Sequence, residues 1–250
     1  MNGASLLRLA LVGVLLGLVP VAIGLLAYPA IRAAGPEAIR FMLALTVGLL
    51  LYLFVDTLGE GLELGAEALG RLRGTTVVWV AMALTAFVLL AIGRRGGKAP
   101  EGLQLATFIA LGIGLHNLGE GLAVGAAIAT GAAALATFLV IGFVIHNVTE
   151  GIGIAAPLAA GERPSIPAFI GLAALAGLPA VAGVVLGTGA VNPYWAALCF
   201  GVGAGAILQV IIEVASFMMR RSGSSALVAP SGAAGIVAGL VIMYATALFV

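Results

Sequence analysis

The only two histidines of this 250-residue chain open two copies of one pattern, His116-Asn117-Leu118-Gly119-Glu120-Gly121 and His146-Asn147-Val148-Thr149-Glu150-Gly151. Imidazole nitrogen and carboxylate oxygen, with amide oxygen as a weaker addition, form a ligand set for borderline divalent metals such as Zn²⁺. At ~100° per residue a helix sets the His and Glu of each copy about 40° apart and the Asn on the far side of the Glu, so all three project from one face. Each copy lies inside an apolar run long enough to cross a bilayer. A carboxylate at the centre of a spanning helix costs roughly 2.5–3.5 kcal/mol on insertion scales, so these groups need one another or a bound cation. A metal site between two helices, built from His116, Glu120, His146 and Glu150 with Asn117 and Asn147 on its flank, is the first expectation.

The elements that position this site follow from composition. With 62% hydrophobic and 8% charged residues the chain is far too apolar for an ordinary soluble domain and reads as an integral membrane protein. The lipid bilayer is therefore its first partner, and the fold class is all-α, a polytopic bundle forming a single transmembrane domain over 1–250. Hydropathy places eight spans at roughly 5–27, 38–69, 75–93, 103–130, 133–160, 165–187, 194–219 and 226–249, each near the ~20 residues a bilayer requires. The first run is long for a signal-peptide core and reads as a retained helix. The fourth and fifth spans carry the two motifs, and the Gly131-Ala132-Ala133-Ala134 turn between them makes them antiparallel neighbours. Abundant Gly and Ala suit close backbone approach between membrane helices. The lone Cys199 excludes an internal disulfide and a paired-thiolate site. A net charge of +1 without a basic cluster interleaved with aromatics excludes nucleic acid as a partner.

Taking the connections alternately, one side holds Arg32, Arg40, Arg94, Arg95, Lys98, Arg163, Arg220 and Arg221, and the other Arg8, Arg71 and Arg73. The positive-inside bias makes the first side cytoplasmic and puts both termini outside, in a multi-pass protein of the cytoplasmic membrane. The second span carries Asp56, Glu60, Glu63 and Glu67 on one helical stripe. Asp56 and Glu60, lying deeper, read as part of a water-filled cation path continued by Glu63. Glu67 divides evenly between that path and a solvated helix end. The seventh span sets Gln209 and Glu213 four apart on one face, and both are read as further residues of the transport path.

The paired His-Asn-x-x-Glu-Gly motifs on consecutive spans resemble the fourth and fifth transmembrane helices of the ZIP (Zrt-/Irt-like) divalent-metal transporters, and the likeness extends loosely over the whole chain. The resemblance implies a metal site, often binuclear, midway along the transport path, both termini outside, and movement of divalent metal, zinc foremost, toward the cytoplasm. Zn²⁺ or a similar dication is then the transported ion rather than a resident cofactor, the chain is not an enzyme, and a homodimer is an admissible assembly. Glu213 matches in place an acidic residue common near the inner end of the family's seventh helix. This chain departs from the pattern at three points. Gly119 and Thr149 stand where the family usually has Pro before the Glu, which puts the expected kink in question. Ala180, after Pro179, stands where a Glu often completes the second subsite. The Gly93–Pro100 connection lacks the histidines many members carry there.

Rival chemistries remain open at this stage. A bis-histidine haem could use His116 and His146 as axial ligands, but it leaves two Glu and two Asn without a role. A metalloprotease would require His-Glu-x-x-His on one helix, and none is present. A passive cation channel using the same acidic residues differs from a carrier only in its flux law.

Overall fold

A computed structural model describes residues 3–248 apart from 96, 162, 190 and 191. Every regular element among the described residues is helical: α1 (Gly3–Gly13), a π-helical turn (Val14–Leu18), α2 (Val19–Leu25), α3 (Tyr28–Ala33), α4 (Gly35–Leu69), α5 (Arg71–Gly93), α6 (Gly102–Ala129), α7 (Ala133–Ala159), α8 (Ile166–Gly187), α9 (Pro193–Ser222) and α10 (Pro230–Ala247). They make eight helical stretches long and apolar enough to cross a membrane, the first of them, Ser5–Ala33, assembled from α1 to α3. The all-α polytopic architecture and the number of spans expected from hydropathy are therefore present.

Boundaries differ where local chemistry outweighs hydropathy. The first span runs past residue 27 because Pro29 is admissible in the first turn of α3, where a missing N–H costs nothing. The last begins at Pro230 rather than 226, after a turn whose carbonyls at Gly223 and Ser225 bond ahead to Ala226, Val228 and Ala229. Gly70, with φ +78°, makes the reversal from α4 into α5, and Gly131, with φ +74°, makes the hairpin from α6 into α7. Both positions lie in the left-handed region that favours glycine.

Lipid tails are as apolar as leucine, so packing in the membrane rests on close fit rather than on water exclusion. Glycine supplies that fit where α6 and α8 run parallel. A side chain at Gly121 or Gly125 would collide with the carbonyls of Ala180 and Val184, and one at Gly183 or Gly187 with those of Leu118 and Leu122. The first span packs on α7 and α8, and with α6 these helices form one group. Helices α4, α5, α9 and α10 form another, and the groups meet chiefly where α6 touches α9 and α4 touches α7.

The core is unevenly distributed along the bundle. Toward the end that carries Arg32, Arg94, Arg163 and Arg221, one continuous buried cluster joins both groups, with Leu50, Leu53, Ile109, Ile113, Ile154 and Ile207 at its centre. Toward the other end it separates into two smaller clusters, one around Leu16, Val124 and Val184, the other around Leu58, Val78 and Met82. The seam between those clusters is where the motif residues lie.

Candidate metal site

Helix direction decides how the two motifs meet. Because α6 and α7 are antiparallel, the step from His116 to Glu120 climbs away from the basic end while the step from His146 to Glu150 descends toward it. Glu120 therefore lies level with His146, and Glu150 lies a turn deeper. The structure brings His116, Glu120 and His146 into one buried group whose ligand atoms all fall within 4.8 Å of one another. The Nε2 atoms of both histidines converge on Oε1 of Glu120, that of His116 at 3.1 Å and that of His146 in direct contact. A tetrahedral zinc with bonds of about 2.1 Å wants ligand atoms about 3.4 Å apart, so this group can hold such an ion with small side-chain adjustments.

Each histidine is oriented from behind. Oγ1 of Thr57, on α4, lies 2.8 Å from Nδ1 of His116, and both residues are buried. A hydroxyl both donates and accepts, so it can donate to Nδ1 while Nε2–H faces Glu120, and accept from Nδ1–H once Nε2 is turned over to a metal. His146 rests edge-on against Phe143, with ring centroids 5.5 Å apart. Thr57 carries no metal-ligand signature in the sequence, and only the crossing of α4 over α6 reveals its role.

The asparagines act through proline-bearing neighbours. Leu16, four residues before Pro20, has a carbonyl with no α-helical donor, since proline lacks an N–H. Asn147 Nδ2 donates to that carbonyl at 3.0 Å and to Glu120 Oε2 at 3.1 Å. Asn117 Nδ2 donates at 3.1 Å to the carbonyl of Ala176, next to the Leu175 carbonyl that Pro179 leaves without a helical donor. With the amide nitrogens anchored outward, Oδ1 of Asn117 and Oδ1 of Asn147 stay buried without a partner among the described residues.

Glu150 is buried as well, with no well-formed hydrogen bond to either oxygen among the described residues and only the Asn117 side chain within reach as a donor. It stands outside the three-residue group yet within electrostatic reach of His146, Glu120, His116 and Asn117. The site is thus rich in buried acceptors and poor in donors. Buried charge left in that condition is costly, and a cation supplies what the set lacks. Ala180, at the position where the resemblance would place a further carboxylate, is fully buried with its methyl against Gly17 of the first span. A small residue is required there by helix contact, and it adds no ligand.

Access runs in one direction. A cavity of about 240 Å³ rises from His116, Glu120 and His146 past Thr57, Asp56 and Glu60. A second of about 530 Å³ shares Glu60, Gly119, Ala123 and Phe200 with it and reaches Thr130 and Gly189 at the end opposite Arg32, Arg94, Arg163 and Arg221. Glu60 stands at the junction of the two, and Glu63 lies exposed a turn above. The basic end is closed by the continuous apolar core and by an ion pair between the fully buried Glu213 and half-exposed Arg94, 2.9 Å apart. The Glu213 carboxylate holds the Arg94 guanidinium above its ordinary pKa. Gln209, one turn away, is buried with both amide atoms unpartnered among the described residues. Gln209 and Glu213 are thus separate from the histidine group, on the far side of the apolar plug.

Both motif helices continue without a break through Gly119 and Thr149. Gly119 admits the Phe200 ring, and Thr149 bonds its hydroxyl back to the His146 carbonyl at 2.6 Å. Comparison with protein-family models and with curated proteins yields no match.

Proposed function

We propose that the chain is a carrier of divalent metal ions of the ZIP type, with Zn²⁺ as its most favoured substrate, taking ions from the far end of the bundle toward the basic, cytoplasmic end. The observation that supports this reading best is the buried group of His116, Glu120 and His146, drawn from two antiparallel spans at the floor of a cavity lined by Asp56 and Glu60. Two imidazoles and a carboxylate suit Zn²⁺ among the common dications, since Mg²⁺ and Ca²⁺ demand oxygen cages. Asp56, Glu60 and Glu63 lower the energy of a cation along the approach. Glu150, with the free oxygens of Asn117 and Asn147, offers the ion a further resting place a turn deeper. The carboxylates replace hydration that the ion sheds in the cavity, and the plug below holds it until the bundle rearranges.

The haem alternative fits poorly, because the Glu120 carboxylate occupies the space between the two Nε2 atoms that a macrocycle would need. A channel is disfavoured by the continuous apolar core beneath the site, with Ile109 fully buried and Ile113 only 1% exposed. Uptake of radioactive zinc into proteoliposomes, with other dications as competitors, tests the proposal. It predicts saturable flux that cadmium suppresses and magnesium does not. Flux linear in concentration, or no zinc flux from protein shown to be folded, would overturn it.

A further inference from the structure

At the basic end a cavity of about 490 Å³ opens between α3 and the connection from α7 to α8, lined by Tyr28, Pro29, Arg32, Ala33 and Arg163. Its charge is uncompensated among the described residues. Among the described residues no carboxylate lines it, and neither arginine forms an ion pair, whereas Arg40, Arg94 and Arg220 at the same end pair with Glu37, Glu213 and Glu101. Arg32 is held in place from one side only. Its Nη1 donates to Tyr28 Oη at 3.0 Å and to the Gly161 carbonyl at 2.8 Å, leaving Nε and Nη2 without a partner among the described residues. Tyr28 is fixed in turn by an edge-on contact with Phe169 of α8, ring centroids 5.1 Å apart. Arg163 is exposed and makes no hydrogen bond among the described residues. The cavity also lies at a boundary in depth. Leu26 on one flank is 77% exposed, and Ile166 and Ile170 on the other are 77% and 65% exposed, as suits side chains that face lipid.

We propose that this cavity is a binding site for the phosphate of an anionic phospholipid, held between Arg32 and Arg163, with the acyl chains lying along Leu26, Ile166 and Ile170. Guanidinium groups bond phosphate oxygens in pairs, and Nε with Nη2 of Arg32 is such a pair. The N-terminal end of α8, which begins three residues after Arg163, adds a favourable dipole. A tyrosine and two arginines at the edge of an apolar band are the side chains that suit the headgroup level. The apolar flanks select a lipid over a free anion, because inorganic phosphate gains nothing from them. The inference is independent of what the histidine group binds.

The test uses the full chain purified in mild detergent and offered equal amounts of palmitoyl-oleoyl phosphatidylglycerol and phosphatidylcholine, with retained lipid read by native mass spectrometry. Wild-type protein is expected to retain phosphatidylglycerol preferentially. Arg163→Gln, which removes no described protein contact, should lower that preference about fivefold, equivalent to about 1 kcal/mol per basic residue near a charged lipid surface. Arg163→Lys should keep most of it, and Arg95→Gln, an exposed arginine elsewhere at the same end, should leave it unchanged. Equal retention of the two lipids, an Arg163→Gln variant that behaves like Arg95→Gln, or complete displacement of phosphatidylglycerol by inorganic phosphate would each overturn the proposal.

Discussion

Replacing Thr57 by Val isolates one contact of the site with almost no change in shape. The hydroxyl lies 2.8 Å from Nδ1 of His116, and both residues are buried, Thr57 1% and His116 4% exposed. In the variant a metal-bound His116 has to carry its Nδ1 proton against a methyl group. A buried donor left in that state costs about 1–3 kcal/mol. That cost falls on the metal-bound form most heavily, since the free protein can turn the imidazole to its other tautomer and leave Nδ1 a bare acceptor. Zinc affinity should therefore drop about 10- to 100-fold, the range typical when a residue that only supports a ligand is lost. Titration calorimetry on purified protein measures this directly, and Thr57→Ser, which restores the hydroxyl, should recover most of the loss. A Thr57→Val protein whose zinc affinity stays within about twofold of wild type, far inside that range, would refute the idea that this hydroxyl orients the histidine.

Glu120→Ala and Glu150→Ala should lower saturable uptake by more than about 100-fold, exceeding the effect of Asn117→Ala or Asn147→Ala at roughly 10-fold, because an anionic ligand offsets lost hydration far better than an amide. Equal and mild effects across the four, in the proteoliposome assay, would sink the ligand assignment. Replacing Glu63 and Glu67 together by Gln should raise the half-saturation concentration mainly at low salt, as attraction between exposed charges is screened over ~8 Å at physiological ionic strength. Unchanged salt dependence would make these residues a solvated helix end. Arg94→Ala should destabilise the protein by about 2–3 kcal/mol, less than for a fully buried pair because Arg94 is half exposed, and adding Glu213→Gln should recover part of it. Thermal unfolding in detergent reads both, and a double variant less stable than Arg94→Ala would contradict the pairing.

Much of the architecture is legible in the sequence because the membrane enforces a simple rule: each apolar run long enough to span becomes a helix. The paired histidine motifs and the short Gly131 turn likewise predict antiparallel neighbours carrying a shared metal group, and His116, Glu120 and His146 meet accordingly. The six motif side chains do not meet as one shell, however. Antiparallel direction offsets Glu150 by a turn, and each asparagine Nδ2 donates to a backbone carbonyl of another span, close before Pro179 or Pro20, with Asn147 Nδ2 bonding Glu120 as well. Those partners lie 59 and 131 residues away in sequence, where no spacing rule reaches. The same holds for Thr57. Ala180 is a different case, since its size answers to Gly17 across a helix contact rather than to the site. Gln209 and Glu213 share a face as their spacing requires, but only the fold shows that Arg94 neutralises Glu213.

The central claim is that a divalent ion binds where the two histidines converge on Glu120. Anomalous scattering from crystals soaked in zinc tests it most directly. One fully occupied peak within bonding distance of His116 Nε2, His146 Nε2 and the Glu120 carboxylate is the predicted result, with at most a weaker second peak beside Glu150 and Asn117, because Ala180 supplies no carboxylate to offset the repulsion between two dications. Well-ordered crystals with no peak at that point, or with zinc bound only elsewhere, would contradict the account.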